Sequence, residues 1–149
     1  MTARLPKTDD DRLPASTRRG MVVLAVALTV VLAVAAWLRP DPQGFGTHQQ
    51  LGLPPCQFAR LTGHPCPSCG MTTAFAWTVR GRLGRAWKAN PAGGLLALSC
   101  AALVPWLLIG AAWGKSPGFR SPEPPLIGVV VATVALSLVS WTIRLFLSG

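Results

Sequence analysis

The sequence has few charged residues, and carboxylates are the scarcest of them. Only 13% of the 149 residues are charged, and only five are Asp or Glu. An average soluble domain has roughly a quarter of its residues charged. Paired catalytic carboxylates, a Ser/His/Asp set and a phosphate-binding loop all lack the residues they need. These absences argue against a hydrolytic enzyme and indicate lipid as the solvent for much of the chain.

Cysteine is scarce as well, but it is unevenly placed. Four cysteines in a chain of this length are too few for a disulfide-dense secreted scaffold. Three of them, Cys56, Cys66 and Cys69, fall within one short segment, which predicts a site there. Cys100 lies inside a long apolar run and is interpreted as a small buried apolar residue.

The formal charge of +9 does not follow the pattern of a nucleic-acid-binding surface. Most basic residues lie beside long apolar runs rather than in a continuous basic face. The predicted partner of this charge is a lipid bilayer with anionic headgroups, and no nucleic acid partner is expected.

Half of the residues are apolar, and they concentrate in three long runs. A run of 18 residues spans about 27 Å as a helix, close to the thickness of a bilayer core. Asn90-Pro91 is a favourable start for the second run, because Asn caps free amides and Pro loses no hydrogen bond there. The chain is therefore predicted to be an all-α integral membrane protein with transmembrane helices at 21–38, 90–113 and 126–147.

The segments between these helices are predicted from composition. Residues 1–20 are expected to form a disordered basic tail, 39–69 a Pro/Gly-rich cysteine loop, and 114–125 a short loop. Residues 70–89 are expected to form short amphipathic or re-entrant helices at the interface. On the second of these, the basic side chains should face the headgroups: Arg82, Arg85 and Lys88.

The count of basic residues does not decide which side of the membrane the cysteine loop faces, because seven lie on each side. Arg18 and Arg19 before the first helix favour a cytoplasmic N-terminus, and the first helix usually dominates. This predicts a bacterial inner-membrane protein with the cysteine loop outside. The alternative for the first run is a signal peptide cleaved near Ala33-Val34-Ala35.

The cysteine cluster has three interpretations. The leading one is a structural staple or scaffold without turnover, in which Cys56 pairs with Cys66 or Cys69. A second is a zinc site with Cys56, Cys66 and Cys69 as ligands and His64 or His48 as the fourth. A third is thiol-disulfide exchange with a thiol or membrane-protein partner, in which Cys66 attacks and Cys69 resolves. Enzyme activity is thus expected only in the third case.

The segment around the second and third cysteines resembles a known family. It carries a Cys-Pro-x-Cys-Gly-x-Thr motif with a later Asn-Pro, formed here by Cys66 to Gly70, Thr72 and Asn90-Pro91. This pattern is similar to the small bacterial membrane-protein family called domain of unknown function 2752, over roughly Arg39 to Leu108. Many relatives have Arg after the Thr, where this chain has Thr73. The resemblance implies a membrane protein, with structural roles for these motif residues and no established activity.

Overall fold

A computed structural model describes residues 12–119 and 121–147, and every regular element in these ranges is a helix. The predicted all-α fold is confirmed. Residues 1–11 of the predicted tail, and Arg120, lie outside the described residues. The helices are α1 (Ala15–Trp37), a 3₁₀-helix (Thr47–Leu51), α2 (Gln57–Thr62), α3 (Met71–Thr78), α4 (Leu83–Ala89), α5 (Pro91–Trp113) and α6 (Glu123–Leu147).

Three of these helices, α1, α5 and α6, are long and apolar enough to cross a membrane. A helix of 23 residues is about 35 Å long, which exceeds the hydrocarbon core of a bilayer. Their outer sides are apolar, with Val23 68% and Phe146 83% exposed. Such surfaces are expected where lipid, rather than water, surrounds the helices.

Two helices begin earlier than the sequence predicted. The first starts at Ala15, so the end of the predicted disordered tail is helical. It is held there because Leu13 N–H donates to Gly114 O at 2.8 Å and Arg18 Nε donates to Ala111 O at 2.7 Å. The last helix starts at Glu123, since the two prolines that follow lie in its first turn, where they lose no hydrogen bond.

Helices α1 and α5 pack side by side and antiparallel. At one end Met21 and Ala25 of α1 contact Leu107 and Ala111 of α5 in one apolar cluster. A second cluster at the other end joins the following buried side chains: Ala35, Phe75, Ala97 and Cys100. Cys100 is 4% exposed, in agreement with its predicted role as a buried small residue.

The short helix α3 is a buried wedge, at a place where the sequence predicted an amphipathic or re-entrant helix. Its four consecutive residues 73–76 are all buried, and at 100° per residue they cover every side of the helix. Small side chains allow this packing: a Cβ added at Gly93 would lie 3.0 Å from the Ala74 Cβ. The wedge therefore sets the position of the residues that precede it, which include Cys66 and Cys69.

Helix α4 covers the start of α5 with alanine and not with its large apolar residues. Ala86 and Ala89 are buried, whereas Leu83 and Trp87 are 48% and 56% exposed. Close approach to Gly94, whose added Cβ would lie 3.7 Å from the Ala86 Cβ, requires the small side chains inside. The larger ones are left on the outer surface.

Candidate functional site

The three clustered cysteines converge at the end of the bundle where α5 begins. The Sγ atoms of Cys56, Cys66 and Cys69 all lie within 4.8 Å of one another. The Cys66 and Cys69 Sγ atoms are 3.2 Å apart, and the Cys66 N–H donates to the Cys69 Sγ at 3.3 Å. Thiols from two separate parts of the loop are thus brought to one point.

The turn that carries Cys66 and Cys69 leads directly into α3 through Gly70. The Cys69 N–H donates to Cys66 O at 3.0 Å, which closes the turn. Gly70 has a φ of +85°, and an added Cβ would lie 2.5 Å from Ala89 O and 2.7 Å from Gly44 O. Only glycine fits this backbone between two neighbouring carbonyl groups.

Cys56 reaches the same point because α2 forms a short excursion in the loop. The helix begins after Cys56, where the Arg60 N–H donates to Cys56 O at 3.1 Å. It ends at Gly63, whose left-handed φ of +73° turns the chain back. The sequence predicted an irregular loop here, and this helix is the element that closes the distance between the first thiol and the other two.

Asn90 links the cysteine turn to the start of α5 by hydrogen bonds. Its Oδ1 accepts from the Gly93 N–H at 2.9 Å, which is the cap predicted from the sequence. Its Nδ2 donates to Pro67 O and Cys69 O, both at 3.1 Å, a role the sequence did not reveal. The side chain is fully buried, so all of these bonds form away from water. The start of α5 and the cysteine turn are therefore one unit.

Helix α6 donates two hydrogen bonds to the cysteine turn. Trp141 Nε1 donates to Pro65 O at 2.9 Å, and Ser137 Oγ donates to Pro67 O at 3.2 Å. The Trp141 ring also meets Phe58 of α2 edge to face, with ring centroids 6.3 Å apart. No local sequence signal links these α6 residues to the loop.

The two threonines of the motif have different positions. Thr73 is fully buried, and its hydroxyl bonds that of Thr47 at 2.7 Å. Thr47 in turn accepts from the Asp41 N–H at 3.0 Å, so this pair joins the start of the loop to α3. Thr72 instead lines the cavity beside the thiols.

The surroundings of Cys56 and Cys69 shift the pKa values of these two thiols in opposite directions. A hydrogen bond from the Ala59 backbone N–H lowers the pKa of Cys56 from 9.0 to about 7. Burial raises the pKa of Cys69 to about 12. The more acidic of these two is thus Cys56, which lies outside the Cys-x-x-Cys motif. The redox interpretation, in which Cys66 attacks, did not consider this thiol as the nucleophile.

Neither histidine joins the thiol group. His64 Nδ1 is 2.8 Å from Thr62 O, and its ring nitrogens do not lie within 4.8 Å of all three Sγ atoms. Across residues 12–119 and 121–147, the three cysteines are the one group of metal-binding side chains that meets within 4.8 Å. His48 lines the neighbouring cavity, where its Nε2 is 3.2 Å from Pro54 O. The structure therefore brings together three of the four predicted ligands.

A cavity of about 790 Å³ opens beside the thiols. All three cysteines line it, together with the side chains of Arg60, Lys88 and Arg144. No Asp or Glu is found among the described residues that form its wall. The cavity gives the thiols access to small molecules from one side.

The basic residues of the 80–88 segment have separate positions. Arg80 caps the carboxyl end of α1, where its guanidinium donates to Ala35 O, Ala36 O and Leu38 O at 3.2, 2.9 and 2.7 Å. Arg85 lies 4.8 Å above the Trp77 ring. Arg82 is exposed, and Lys88 is exposed at the cavity rim. The sequence singled out Arg82, Arg85 and Lys88 as facing headgroups but missed the cap.

Comparison with known proteins agrees with the resemblance seen in the sequence. Residues 56–104 match the model of a family described as protein of unknown function (DUF2752). The matched segment begins at the first clustered cysteine and continues into α5. Searches of curated proteins and of solved structures found no significant match.

Proposed function

We propose that this protein binds a thiophilic metal ion, Zn²⁺, through the thiolates of Cys56, Cys66 and Cys69 at the edge of the membrane. The observation that carries the proposal is the convergence of three Sγ atoms within 4.8 Å. Tetrahedral zinc with Zn–S bonds of about 2.3 Å places sulfurs about 3.8 Å apart. The thiols thus need only small shifts to bind one ion.

The three-thiol arrangement favours metal binding over a disulfide staple. A disulfide joins two sulfurs at about 2.05 Å and leaves the third thiol beside it, where it can attack the bond by exchange. A metal ion uses all three. Because all three cysteines line the cavity, an ion held by them would be open to a fourth ligand from that space, as in zinc sites that keep a position for water or a ligand.

In this proposal the metal also has the scaffold role predicted from the sequence. The cysteine turn accepts hydrogen bonds from Asn90 of α5 and from Ser137 and Trp141 of α6. A metal ion that fixes the turn would therefore fix the relative positions of these two helices.

The proposal is tested by metal analysis of the protein purified from membranes with and without added zinc. We expect one zinc per chain in the native protein and in Cys100→Ser, whose cysteine lies away from the site. Cys56→Ser, Cys66→Ser and Cys69→Ser should each weaken zinc binding by about tenfold or more, because each removes a thiolate ligand. His64→Ala should retain the ion.

A disulfide would overturn this proposal. If mass analysis of alkylated and digested protein shows Cys56 joined to Cys66 or Cys69 in the native membrane, and zinc is absent, the staple is correct. A bond between Cys66 and Cys69 without zinc would instead support the redox role. A mixed disulfide trapped with a partner protein would then separate redox exchange from a staple.

We also propose a bacterial inner-membrane location with the cysteine loop outside. Arg18 and Arg19 lie near the start of α1, at the end of the bundle opposite the thiols, whereas Arg80 caps the other end of α1. Basic residues before the first membrane helix favour a cytoplasmic N-terminus. Outside the cytoplasm thiols oxidise readily, so metal binding would keep them reduced. Labelling with an impermeant thiol reagent after chelation tests the side: reaction in intact cells supports it, and reaction only after lysis overturns it.

A further inference from the structure

The short helix α2 has two different faces. Ala59 and Arg60 line the cavity beside the thiols, and Phe58 and Leu61 are not among the described residues that line it. At 100° per residue, the second pair points about 180° away from the first. Leu61 is 84% exposed and Phe58 is 41% exposed. An apolar face of α2 is therefore left uncovered on the side away from the thiols.

A contact with α6 places this face beside a helix that can cross a membrane. The Phe58 ring meets the Trp141 ring edge to face, with centroids 6.3 Å apart. Trp141 lies within Glu123–Phe146, the part of α6 that is long and apolar enough to span a bilayer. Leu138, one turn before Trp141, is 51% exposed. The uncovered face of α2 thus adjoins the apolar outer surface of α6.

The position of Trp141 along α6 gives the depth of α2 in a bilayer. Trp141 is five positions before Phe146, where the apolar span of α6 ends. This separation corresponds to about 7.5 Å along the helix axis. Amphipathic helices in a membrane surface bury their apolar face about 5–10 Å into the boundary between headgroups and acyl chains. Helix α2 therefore lies beside α6 at the depth of such helices.

Polar groups at the end of α2 are bonded within the protein. Thr62 Oγ1 donates to Phe58 O at 2.8 Å, and the Gly63 N–H donates to Ala59 O at 3.0 Å. The His64 N–H donates to Thr62 Oγ1 at 3.3 Å. Polar groups with such partners cost less to remove from water than unpaired ones. The end of α2 is thus suited to the boundary of a bilayer.

We propose that α2 inserts the side chains of Phe58 and Leu61 among the lipid acyl chains of the leaflet on the thiol side. Continuity with the outer surface of α6 favours acyl chains over a protein partner. Helix α2 then separates the cavity from the bilayer, with the thiols on one face and lipid on the other. Insertion requires neither a metal ion nor one orientation of the chain, so this inference can fail or succeed independently of zinc binding and of topology.

The test is site-specific photocrosslinking of the full-length protein in phosphatidylcholine nanodiscs. The photoreactive residue p-benzoylphenylalanine replaces Leu61 in one variant and Phe58 in a second, which keeps a phenyl ring beside Trp141. Irradiation should add the mass of one lipid to each variant, and the fatty acid should stay attached after the lipid esters are cleaved. Replacement of Arg60 is the matched control on the opposite face and should give about tenfold less lipid adduct.

Two further measurements calibrate this result. Replacement of Val131, which is 61% exposed on α6, gives the adduct yield at a lipid-facing position, and the Leu61 variant should come within about threefold of it. Leu61 is 84% exposed, so its replacement should leave the fold unchanged. The same variants irradiated in native membranes reveal any other occupant of this face.

Three results would overturn the proposal. The first is a crosslink from the Leu61 position to another protein or to a second copy of the chain in place of lipid. The second is an equal yield of lipid adduct at Arg60 and Leu61. The third is an adduct that loses its fatty acid when the esters are cleaved, because the side chain would then lie among headgroups.

Discussion

Helices α1 and α5 are held together differently from α6. The α1 and α5 pair shares apolar clusters at both of its ends, around Met21 and around Ala35. By contrast, 11% of the α6 span is buried, against 28% of the α5 span. Its hydrogen bonds to the rest of the protein include those of Ser137 and Trp141 to the cysteine turn and that of Arg144 to Ala89 O.

This difference separates two kinds of stability in one small bundle. Apolar packing between α1 and α5 does not depend on the state of the thiols. The position of α6 does, because hydrogen bonds need their acceptors in place. Changes at the cysteine turn should therefore release α6 and leave the α1 and α5 pair intact.

The largest expected effect comes from Gly70→Ala. The new Cβ would meet two carbonyl oxygens at 2.5 and 2.7 Å on a backbone with positive φ. A cost of about 3 kcal/mol or more follows from strain and displacement of the turn. Hydrogen exchange should rise across residues 133–146 and stay unchanged in α1, with zinc binding lost.

The control for this change is Gly84→Ala. A Cβ at Gly84 has no neighbour within 4 Å, and the residue lies inside α4. We expect no loss of zinc and a stability change within about 1 kcal/mol. If Gly70→Ala kept both zinc and a protected α6, the proposed dependence of α6 on the turn would be wrong.

Asn90 variants should divide its two roles. Asn90→Ala removes the cap and both bonds to the turn, at a cost of about 2–3 kcal/mol in unfolding free energy. Asn90→Asp keeps an acceptor for the Gly93 N–H but has no donor for Pro67 O and Cys69 O. In Asn90→Asp, hydrogen exchange should stay slow at the start of α5 and become faster in α6. If Asn90→Asp exchanged at the native rate in α6, this prediction would be wrong.

Arg80→Lys tests whether a change at the end of α1 leaves α6 in place. The Arg80 guanidinium bonds three carbonyl groups of the α1 end and Ala76 O, and a Lys ammonium has fewer donors at a single point. We expect the free energy of unfolding to fall by about 1–2 kcal/mol. Hydrogen exchange should become faster at the end of α1 and stay unchanged in α6. Arg82→Lys, at an exposed position, is the control and should change neither stability nor hydrogen exchange. If Arg80→Lys instead increased hydrogen exchange in α6, the proposed independence of the two regions would be wrong.

The smallest effect is expected for Trp141→Phe. The ring contact with Phe58 is kept, and the single bond to Pro65 O is lost, which costs about 1 kcal/mol. Exchange should rise only near residue 141. Trp37→Phe is the control, since Trp37 is 73% exposed at the end of α1. Equal effects of the two variants would show that the bond to Pro65 adds nothing.

The sequence predicts the long helices and the site cysteines because these signals are local. Runs of apolar residues identify α1, α5 and α6, and Asn90-Pro91 identifies the start of α5. The Cys-x-x-Cys spacing identifies Cys66 and Cys69. Each of these inferences needs only residues within a few turns of one another.

What the sequence could not show are contacts between distant parts of the chain. Trp141 and Pro65 are 76 positions apart, and Arg80 and Ala35 are 45 apart. Periodicity says nothing about which backbone carbonyl a remote side chain will meet. The same limit applied to His64, whose closeness in sequence to Cys66 suggested a possible ligand, whereas the group that meets within 4.8 Å contains the three cysteines and no histidine.

The hydrogen bonds from α6 to Pro65 and Pro67 have a consequence for biosynthesis. The ribosome makes the cysteine turn well before it makes Ser137 and Trp141, so for a time Pro65 O lacks its Trp141 donor and Pro67 O has only the Asn90 donor. The site reaches its final geometry only when α6 has entered the bundle. Tight metal retention would therefore mark chains whose third long helix has been correctly inserted.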